Sequence, residues 1–175
     1  MTLRVSHDDD GRLVLDSGRV TLREQLPADC ALLAEGKPAE LVWIDGIPGE
    51  GTIGAAGMTV TAGVAGMYRP GWGVFAIQRS EDGVALGGIG FHGPPSEGVA
   101  EIGYDLSVSA RGAGWATDAL RVLVEWALGR PGVRTLLATT DPENLPSQRV
   151  LERAGFTRVA DRGELRAFEL AGPTA

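Results

Sequence analysis

The second half of the chain alternates strand and helix patterns in an order that few folds accommodate. A strand pattern at 102–106 leads into the turn at 111–116, and apolar residues then recur at helical spacing to residue 128. A strand pattern at 134–140 and a second helix pattern at 146–154 follow. Antiparallel strand patterns come first, and one strand–helix–strand crossover comes later. This order predicts an α+β fold with a mixed sheet.

The turn Arg111-Gly112-Ala113-Gly114-Trp115-Ala116 is a candidate anion site. Free backbone N–H groups gather at a helix N-terminus, where the helix dipole is positive, so such a turn can bind a phosphate or diphosphate. Gly112 and Gly114 let the backbone approach the anion closely because neither has a Cβ. A tight strand-to-helix connection with no ligand is an equally good interpretation of the turn alone.

Three motifs together resemble the GCN5-related N-acetyltransferase (GNAT) family. Arg111–Ala116 matches its (Gln/Arg)-x-x-Gly-x-(Gly/Ala) turn, and Asn144–Ser147 followed by Ala154–Phe156 resembles its Asn-x-x-Ser…Gly-Phe helix. The strand Glu101–Tyr104 is similar to the RimJ/RimL branch, which acetylates ribosomal proteins. The resemblance covers roughly residues 72–160 and is weaker before them.

The resemblance implies a GNAT fold, which is a mostly antiparallel twisted sheet flanked by helices. A splayed parallel strand pair forms a wedge for acetyl-CoA, the implied co-substrate. Backbone N–H groups of Gly112 to Thr117 would bind the diphosphate, and main-chain groups around Tyr104 to Leu106 would bind the pantetheine amides and the acetyl carbonyl. Asn144 would contact the cofactor arm and also cap its helix. The implied contacts are Tyr104, Asp105, Leu106, Arg111, Gly112, Ala113, Gly114, Trp115, Ala116, Thr117, Asn144 and Ser147.

Two residues are the candidates for proton transfer. Ser147 aligns with the position that reaches the cofactor sulfur in the RimJ/RimL branch, although a first-turn serine without chemistry is an equal alternative. Many family members carry a tyrosine acid four residues further on, where this chain has Leu151. Glu101 is the first candidate for the general base, or else an exposed strand residue paired with an arginine. Asp105 and His92 are weaker candidates.

A second glycine motif competes with the turn. Gly88–Gly93 spells G-x-G-x-x-G, which binds dinucleotides only between a strand and a helix N-terminus. Pro94-Pro95-Ser96 follows, and no helix pattern begins there. We therefore interpret this motif as a glycine-rich strand end and turn, and an oxidoreductase becomes a distant alternative.

Charge and cysteine usage narrow the function further. The net charge is −7 and there is no block of Lys or Arg, which argues against a nucleic-acid partner. An acidic surface would tolerate a cationic amine, or would serve solubility alone. The one cysteine, Cys30, excludes an internal disulfide and a cysteine metal cluster, and the histidines have no ligand-spaced partners. We expect no metal, no membrane segment and a cytoplasmic location.

The domain organisation predicted is an N-terminal extension at 1–18, a single N-acetyltransferase domain at 19–171 and a frayed tail at 172–175. The irregular stretch at 37–71 would carry the acceptor pocket by resemblance, with a helix suggested at 58–68. The four tryptophans of the chain, particularly Trp43 and Trp72, are expected in the core, in a pocket or at a contact of a possible homodimer. The expected function is acetyl transfer from acetyl-CoA to a primary amine, either a small molecule or a protein N-terminus. A non-catalytic acyl-CoA binding module is the alternative.

Overall fold

Nine strands and four helices build residues 2–173, the part of the chain that this computed structural model describes. The strands are β1 (Arg4–His7), β2 (Leu13–Asp16), β3 (Val20–Glu24), β4 (Val74–Arg79), β5 (Ala85–Phe91), β6 (Val99–Leu106), β7 (Thr135–Thr140), β8 (Thr157–Arg162) and β9 (Leu165–Ala171). The helices are α1 (Pro27–Leu33), α2 (Glu50–Val64), α3 (Trp115–Leu128) and α4 (Leu145–Arg153).

The strands form one sheet in the order β1-β2-β3-β4-β5-β6-β7-β9-β8. Neighbouring strands are antiparallel except β6 and β7, which are parallel and are joined by the α3 crossover. The α+β class and the mixed, mostly antiparallel sheet are therefore confirmed. The sheet is also the framework on which the site is built, because both of its faces carry helices.

The parallel pair separates soon after it begins. Strands β6 and β7 pair only over Val99–Glu101 and Thr135–Leu137. Further along, β6 continues to pair with β5 and β7 with β9, but not with each other. The facing edges therefore carry backbone groups without sheet partners. The predicted wedge is confirmed, and it opens just after Glu101.

Successive side chains of β4 point to opposite faces of the sheet, and each face packs against different helices. Phe75 and Ile77 belong to the larger core, which also contains the apolar face of α3. Val74 and Ala76 point the other way, into a smaller core with Cys30 of α1 and apolar residues of α2. Fully burying one such Leu, Ile or Phe side chain stabilises the fold by roughly 1.5–3 kcal/mol.

The sequence predicts α3 correctly and misplaces α2. Helix α3 spans the predicted residues because its buried side chains recur at helical spacing. Helix α2 runs over Glu50–Val64 rather than 58–68, so the predicted start was wrong. Gly51, Gly54 and Gly57 weaken intrinsic helix propensity there, and packing on the sheet overrides that preference. The Cβ that Gly88 lacks would lie 2.7 Å from Thr52 Oγ1, so a glycine on β5 allows this close approach.

Two other segments differ from a plain interpretation of the sequence. Strands β1 and β2, within the predicted extension, belong to the main sheet, and Leu13 and Leu15 are buried in its core. The motif at Gly88–Gly93 lies in β5 and the turn after it, and the chain then continues into β6 without a helix. The structural context of a dinucleotide fingerprint is therefore missing. Of the predicted tail at 172–175, the last two residues lie outside the described residues.

Over the described part of the chain, no helix is long and apolar enough to cross a lipid bilayer. Within residues 2–173, no three His, Cys, Asp or Glu side chains cluster in a way that would hold a metal ion.

Candidate active site

A cleft of about 660 Å³ lies between β6 and the first turns of α3 and α4. It contains every residue of the predicted cofactor set except Ala113. The cleft is lined by Tyr104, Asp105, Leu106, Arg111, Gly112, Gly114, Trp115, Ala116, Thr117, Asn144, Pro146, Ser147, Arg149, Val150 and Arg153. Three arginines against one carboxylate make this cleft cationic, as a polyanionic ligand requires.

The turn before α3 presents its backbone N–H groups to this cleft. Gly112 and Gly114 both have φ of +83°, a left-handed conformation that a residue with a Cβ adopts at a cost. The first backward bond of the helix runs from the Asp118 N–H to the Gly114 carbonyl at 3.1 Å. The N–H groups of Trp115 to Thr117 therefore have no acceptor within the helix, and free N–H groups at a helix N-terminus are able to bind an anion.

Arg19, which sequence reasoning missed, fixes this turn from β3's side of the sheet. Its guanidinium donates to the Ala113 carbonyl at 2.8 Å and pairs with Asp118. It also lies over the Trp115 ring, 4.2 Å from the ring centroid. Its distance from the turn in sequence explains why no local pattern could indicate the contact.

Four further side chains suit this cleft to a phosphorylated ligand. Thr117 Oγ1 is buried and has no hydrogen-bond partner among the described residues. Arg149 and Arg153 stand one turn apart on α4 and both line the cleft. Arg111 donates from Nε to the Leu106 carbonyl at 3.2 Å, which holds its charge at the mouth of the cleft.

A second cleft, of about 500 Å³, opens on the α2 face of the sheet. Its glycines, Gly88, Gly90 and Gly103, leave room above the sheet, and Met58 and Ala55 of α2 lie among its walls. Asp105 and Asp141 line it, and no lysine or arginine does among the residues that the structure describes. This cleft therefore suits a cationic or neutral guest, in contrast to the first. We call the first the cofactor cleft and the second the acceptor cleft.

The two clefts meet at four side chains, Tyr104, Asp105, Asn144 and Ser147, which line both. The Tyr104 hydroxyl lies 2.8 Å from Ser147 Oγ and 3.1 Å from the Ser147 carbonyl. Asn144 Oδ1 accepts the Ser147 N–H at 3.2 Å, so the predicted N-cap is confirmed. Burial raises the pKa of Tyr104 to about 12, although the bond to Ser147 lowers it slightly. Its phenol is therefore a proton donor at neutral pH.

Asp105 has a role that the sequence did not show. Its carboxylate accepts the Thr52 N–H at 3.3 Å, at the start of α2, where the helix has no side-chain cap of its own. A Cβ at Gly51 would lie 2.8 Å from Asp105 Cβ, so the contact requires glycine. Asp105 thus fixes the acceptor-side helix to β6, and this engagement weakens its candidacy as a base.

Glu101 is paired with a histidine rather than an arginine. Its Oε2 lies 2.9 Å from His92 Nδ1, and the His92 backbone N–H donates to the Glu101 carbonyl at 2.9 Å. His92 lines the acceptor cleft, whereas Glu101 lies behind it. Leu151, at the position of the family's tyrosine acid, is buried and presents only carbon to the acceptor cleft.

A model of the acetyltransferase (GNAT) domain family matches residues 19–157. The chain therefore belongs to the GNAT family.

Curated relatives match the chain over part of their length. The uncharacterized N-acetyltransferase YjdG of Bacillus subtilis (strain 168) is 37% identical over 87 residues, which is 49% of this chain and 52% of that protein. The uncharacterized N-acetyltransferase p20 of Bacillus licheniformis is 34% identical over 98 residues, 55% of this chain and 53% of that protein. The chain thus spans about half the length of these relatives.

Solved structures share the fold over almost the whole chain. An acetyltransferase from Agrobacterium tumefaciens str. C58 is 26% identical, with a TM-score of 0.63 over 97% of this chain and 98% of that one. RimL, a ribosomal L7/L12 alpha-N-protein acetyltransferase, is 18% identical in its apo form, with a TM-score of 0.67 over 96% and 99% of the two chains. The same enzyme is also known in complex with coenzyme A. At these identities the likeness to RimL concerns the fold alone.

Proposed function

We propose that this protein is an acetyl-CoA-dependent N-acetyltransferase that transfers the acetyl group directly to a primary amine. The observation that carries the proposal is the meeting of two clefts of opposite charge where β6 and β7 separate. A polyanionic acyl donor and a cationic amine can each enter a cleft of complementary charge. Their reacting ends then meet near Tyr104 and Ser147, in a ternary complex.

The cofactor cleft supplies the groups that coenzyme A needs. Backbone N–H groups of the turn from Gly112 to Thr117 would bind the diphosphate, and the Thr117 hydroxyl and Arg111 would add a hydrogen bond and a charge. Arg149 and Arg153 provide further positive charge for phosphate. The free edge of β6 from Tyr104 to Leu106 would pair with the amides of the pantetheine arm as an added strand does.

The junction supplies hydrogen-bond donors for the reacting group. When the thioester is bound it supplies an activated acyl group. Ser147, held by its bond to Tyr104, would then donate a proton to the departing thiolate. Asn144 keeps the first turn of α4 in place for this contact. Glu101, which contacts His92 on the acceptor side, assists removal of the proton from the amine.

The amine itself is either a small molecule or the N-terminus of a protein. RimL shares the fold and is named for acetylating a ribosomal protein N-terminus. The acceptor cleft lies open beside α2, so both kinds of acceptor have access.

Binding is the first test of this function. Isothermal titration of the full chain with acetyl-CoA, coenzyme A and NADPH should show saturable binding of the two coenzyme A species and none of NADPH. Binding of NADPH alone, or of neither class, would contradict the proposal.

The second candidate function is an acyl-CoA binding module without catalysis, favoured by Leu151 at the family's acid position. A binding module would also bind acetyl-CoA and coenzyme A, but it would acetylate no amine. An amine panel with mass spectrometry of the products separates the two, because only an enzyme makes acetylated amine in amounts exceeding the protein.

A further inference from the structure

The pair His92–Glu101 occupies one end of the acceptor cleft in an arrangement that the motifs of the chain do not specify. Strands β5 and β6 bring the two residues together, and the bond between the His92 N–H and the Glu101 carbonyl continues the pairing of these strands. Both side chains are only partly exposed, at 45% and 33%. A backbone hydrogen bond and a side-chain contact therefore hold the same two residues together.

The geometry distinguishes the two nitrogens of the imidazole. Nδ1 lies 2.9 Å from Glu101 Oε2, so the carboxylate favours a proton on this nitrogen. A Cβ at Gly103 would lie 3.2 Å from Nε2, so Nε2 lies over this glycine, which lines the acceptor cleft. With the proton on Nδ1, Nε2 of the neutral imidazole is the acceptor, and it lies next to Gly103 on the wall of the acceptor cleft.

Resting on the proposed function, we infer that His92 is the general base for the acceptor amine and that Glu101 is a positioning residue that acts through it. This assignment differs from the role that the sequence suggests for Glu101. His92 is among the residues that line the acceptor cleft and Glu101 is not, so we assign the contact with the amine to His92.

The step balances as follows. His92 Nε2 takes one proton from the ammonium group, directly or through one water, and becomes an imidazolium stabilised by Glu101. The nitrogen lone pair then forms the bond to the thioester carbon, and the carbon–sulfur bond breaks with its electron pair on sulfur. The nitrogen loses a second proton and the sulfur gains one through Ser147, so the products are an amide, a thiol and the proton on His92.

Other titratable groups share the space around His92. His92 also lines a hollow of about 70 Å³ beside the acceptor cleft, formed in part by Met58, Phe91 and Trp72. The titratable and charged groups that line the two spaces are Tyr104, Asp105 and Asp141 in the cleft, and Tyr68 and Arg69 in the hollow. Glu101, which lines neither space, is the charged group in direct contact with the imidazole.

The test compares His92→Asn, Glu101→Gln and the control His7→Asn in the full chain. His7 lies exposed on the edge strand β1, away from both clefts. Each variant is assayed for amine-dependent thiol release from acetyl-CoA, with the best amine of a panel and with methoxyamine. Methoxyamine is already neutral at neutral pH and needs no base before it attacks.

We expect His92→Asn to lower kcat/KM for the protonated amine by roughly 100-fold and to leave methoxyamine turnover unchanged. Glu101→Gln should lower kcat/KM for the protonated amine by roughly 10-fold and likewise leave methoxyamine turnover unchanged, because Glu101 acts only through the base. His7→Asn should match the wild type, and acetyl-CoA affinity should be equal in all four proteins.

Four results would overturn the inference. One is a larger loss in Glu101→Gln than in His92→Asn, which would make Glu101 the base. Another is an equal loss with both acceptors, which would indicate a structural role. If the wild type binds acetyl-CoA and yet acetylates no amine, the proposed function fails and the inference fails with it; wild-type turnover with an unaffected His92→Asn would overturn the inference alone.

Discussion

The Tyr104 hydroxyl lies 2.8 Å from Ser147 Oγ and joins the free edge of β6 to the first turn of α4. The contact stands where the cofactor cleft opens into the acceptor cleft. It places a phenol from the strand near the junction, although the position of the family's helical tyrosine holds Leu151. Because burial raises the pKa of Tyr104 to about 12, the phenol keeps its proton across the neutral range.

Removing either hydroxyl should slow the chemical step and spare donor binding. Ser147→Ala and Tyr104→Phe are each expected to lower kcat by roughly 100-fold, because the two hydroxyls donate as one unit. For the same reason the double variant should lose no more than the worse single variant. Steady-state kinetics with saturating acceptor measures this, and titration with acetyl-CoA supplies the control for binding.

Unchanged kcat in both single variants would remove the pair from proton transfer. Ser147→Ala retains the backbone N–H that Asn144 caps, so a lost helix start would not explain its defect.

Gly112→Ala should weaken acetyl-CoA binding more than it weakens the fold. Gly112 lies in the cofactor cleft, and Gly132 lies in a loop outside it. Their φ values are +83° and +84°, and a Cβ at either meets nothing within 4 Å. The two alanine variants should therefore lose similar stability, about 1 kcal/mol, while only Gly112→Ala loses affinity. Equal affinities by calorimetry would contradict the anion site.

Arg149 and Arg153 should contribute charge to donor binding. We expect Arg149→Ala and Arg153→Ala each to raise the Kd for acetyl-CoA by about 3- to 10-fold, with the difference from wild type shrinking as salt is added. Arg162→Ala, on the exposed end of β8, is the charge-matched control. Calorimetry at two ionic strengths measures the effect. A loss of affinity that is the same at both ionic strengths would indicate a packing effect rather than a charge effect.

Gly51→Ala and Gly57→Ala separate a helix effect from the Asp105 contact. A Cβ at Gly51 lies 2.8 Å from Asp105 Cβ, whereas one at Gly57 meets nothing within 4 Å. Both glycines are in α2, where alanine gains about 0.5–1 kcal/mol from propensity. Thermal unfolding should therefore show Gly57→Ala stabilised and Gly51→Ala destabilised. Two stabilised variants would show that α2 does not depend on its contact with β6.

Alkaline pH should destabilise the fold in part through Cys30. Burial raises the pKa of its thiol from 9.0 to about 12, and that of Tyr104 from 10.0 to about 12. At a pH between the pKa of the unfolded chain and that of the native chain, each of these groups has lost its proton in the unfolded chain and keeps it in the native chain. The free energy of unfolding therefore falls as pH rises. Urea unfolding from pH 8 to pH 10 should show a smaller loss in Cys30→Ala than in wild type. Identical losses would contradict the buried thiol.

The sequence predicted those helices and strands whose own residues carry a clear periodic pattern or clear turn signals. Helix α3 carries a periodic apolar face, and β6 runs between clear turn signals, so both were placed within their observed bounds. Helix α2 was misplaced because its glycines lower its intrinsic helix propensity. Its stability comes instead from packing against α1 and the sheet and from the Asp105 carboxylate. The Asp105 contact joins residues 53 positions apart, so no local pattern indicates it.

The same distinction applies to the candidate site: a motif within one continuous stretch could be predicted, and contacts between distant segments could not. The turn from Arg111 to Ala116 could be found because an anion site needs glycines and a helix start in one continuous stretch. The contact of Arg19 with that turn arises because α3 packs on β3, and the pairing of His92 with Glu101 arises because β5 and β6 are neighbours in the sheet. Composition and spacing carry no signal for these contacts, since each depends on which elements lie side by side in the fold.

The most direct test of the account is amine-dependent thiol release from acetyl-CoA by the wild-type protein, with mass spectrometry of the amine. The account predicts one acetylated amine for each thiol released, over many turnovers. Saturable binding of acetyl-CoA without any amine-dependent release would contradict it and would favour a binding module.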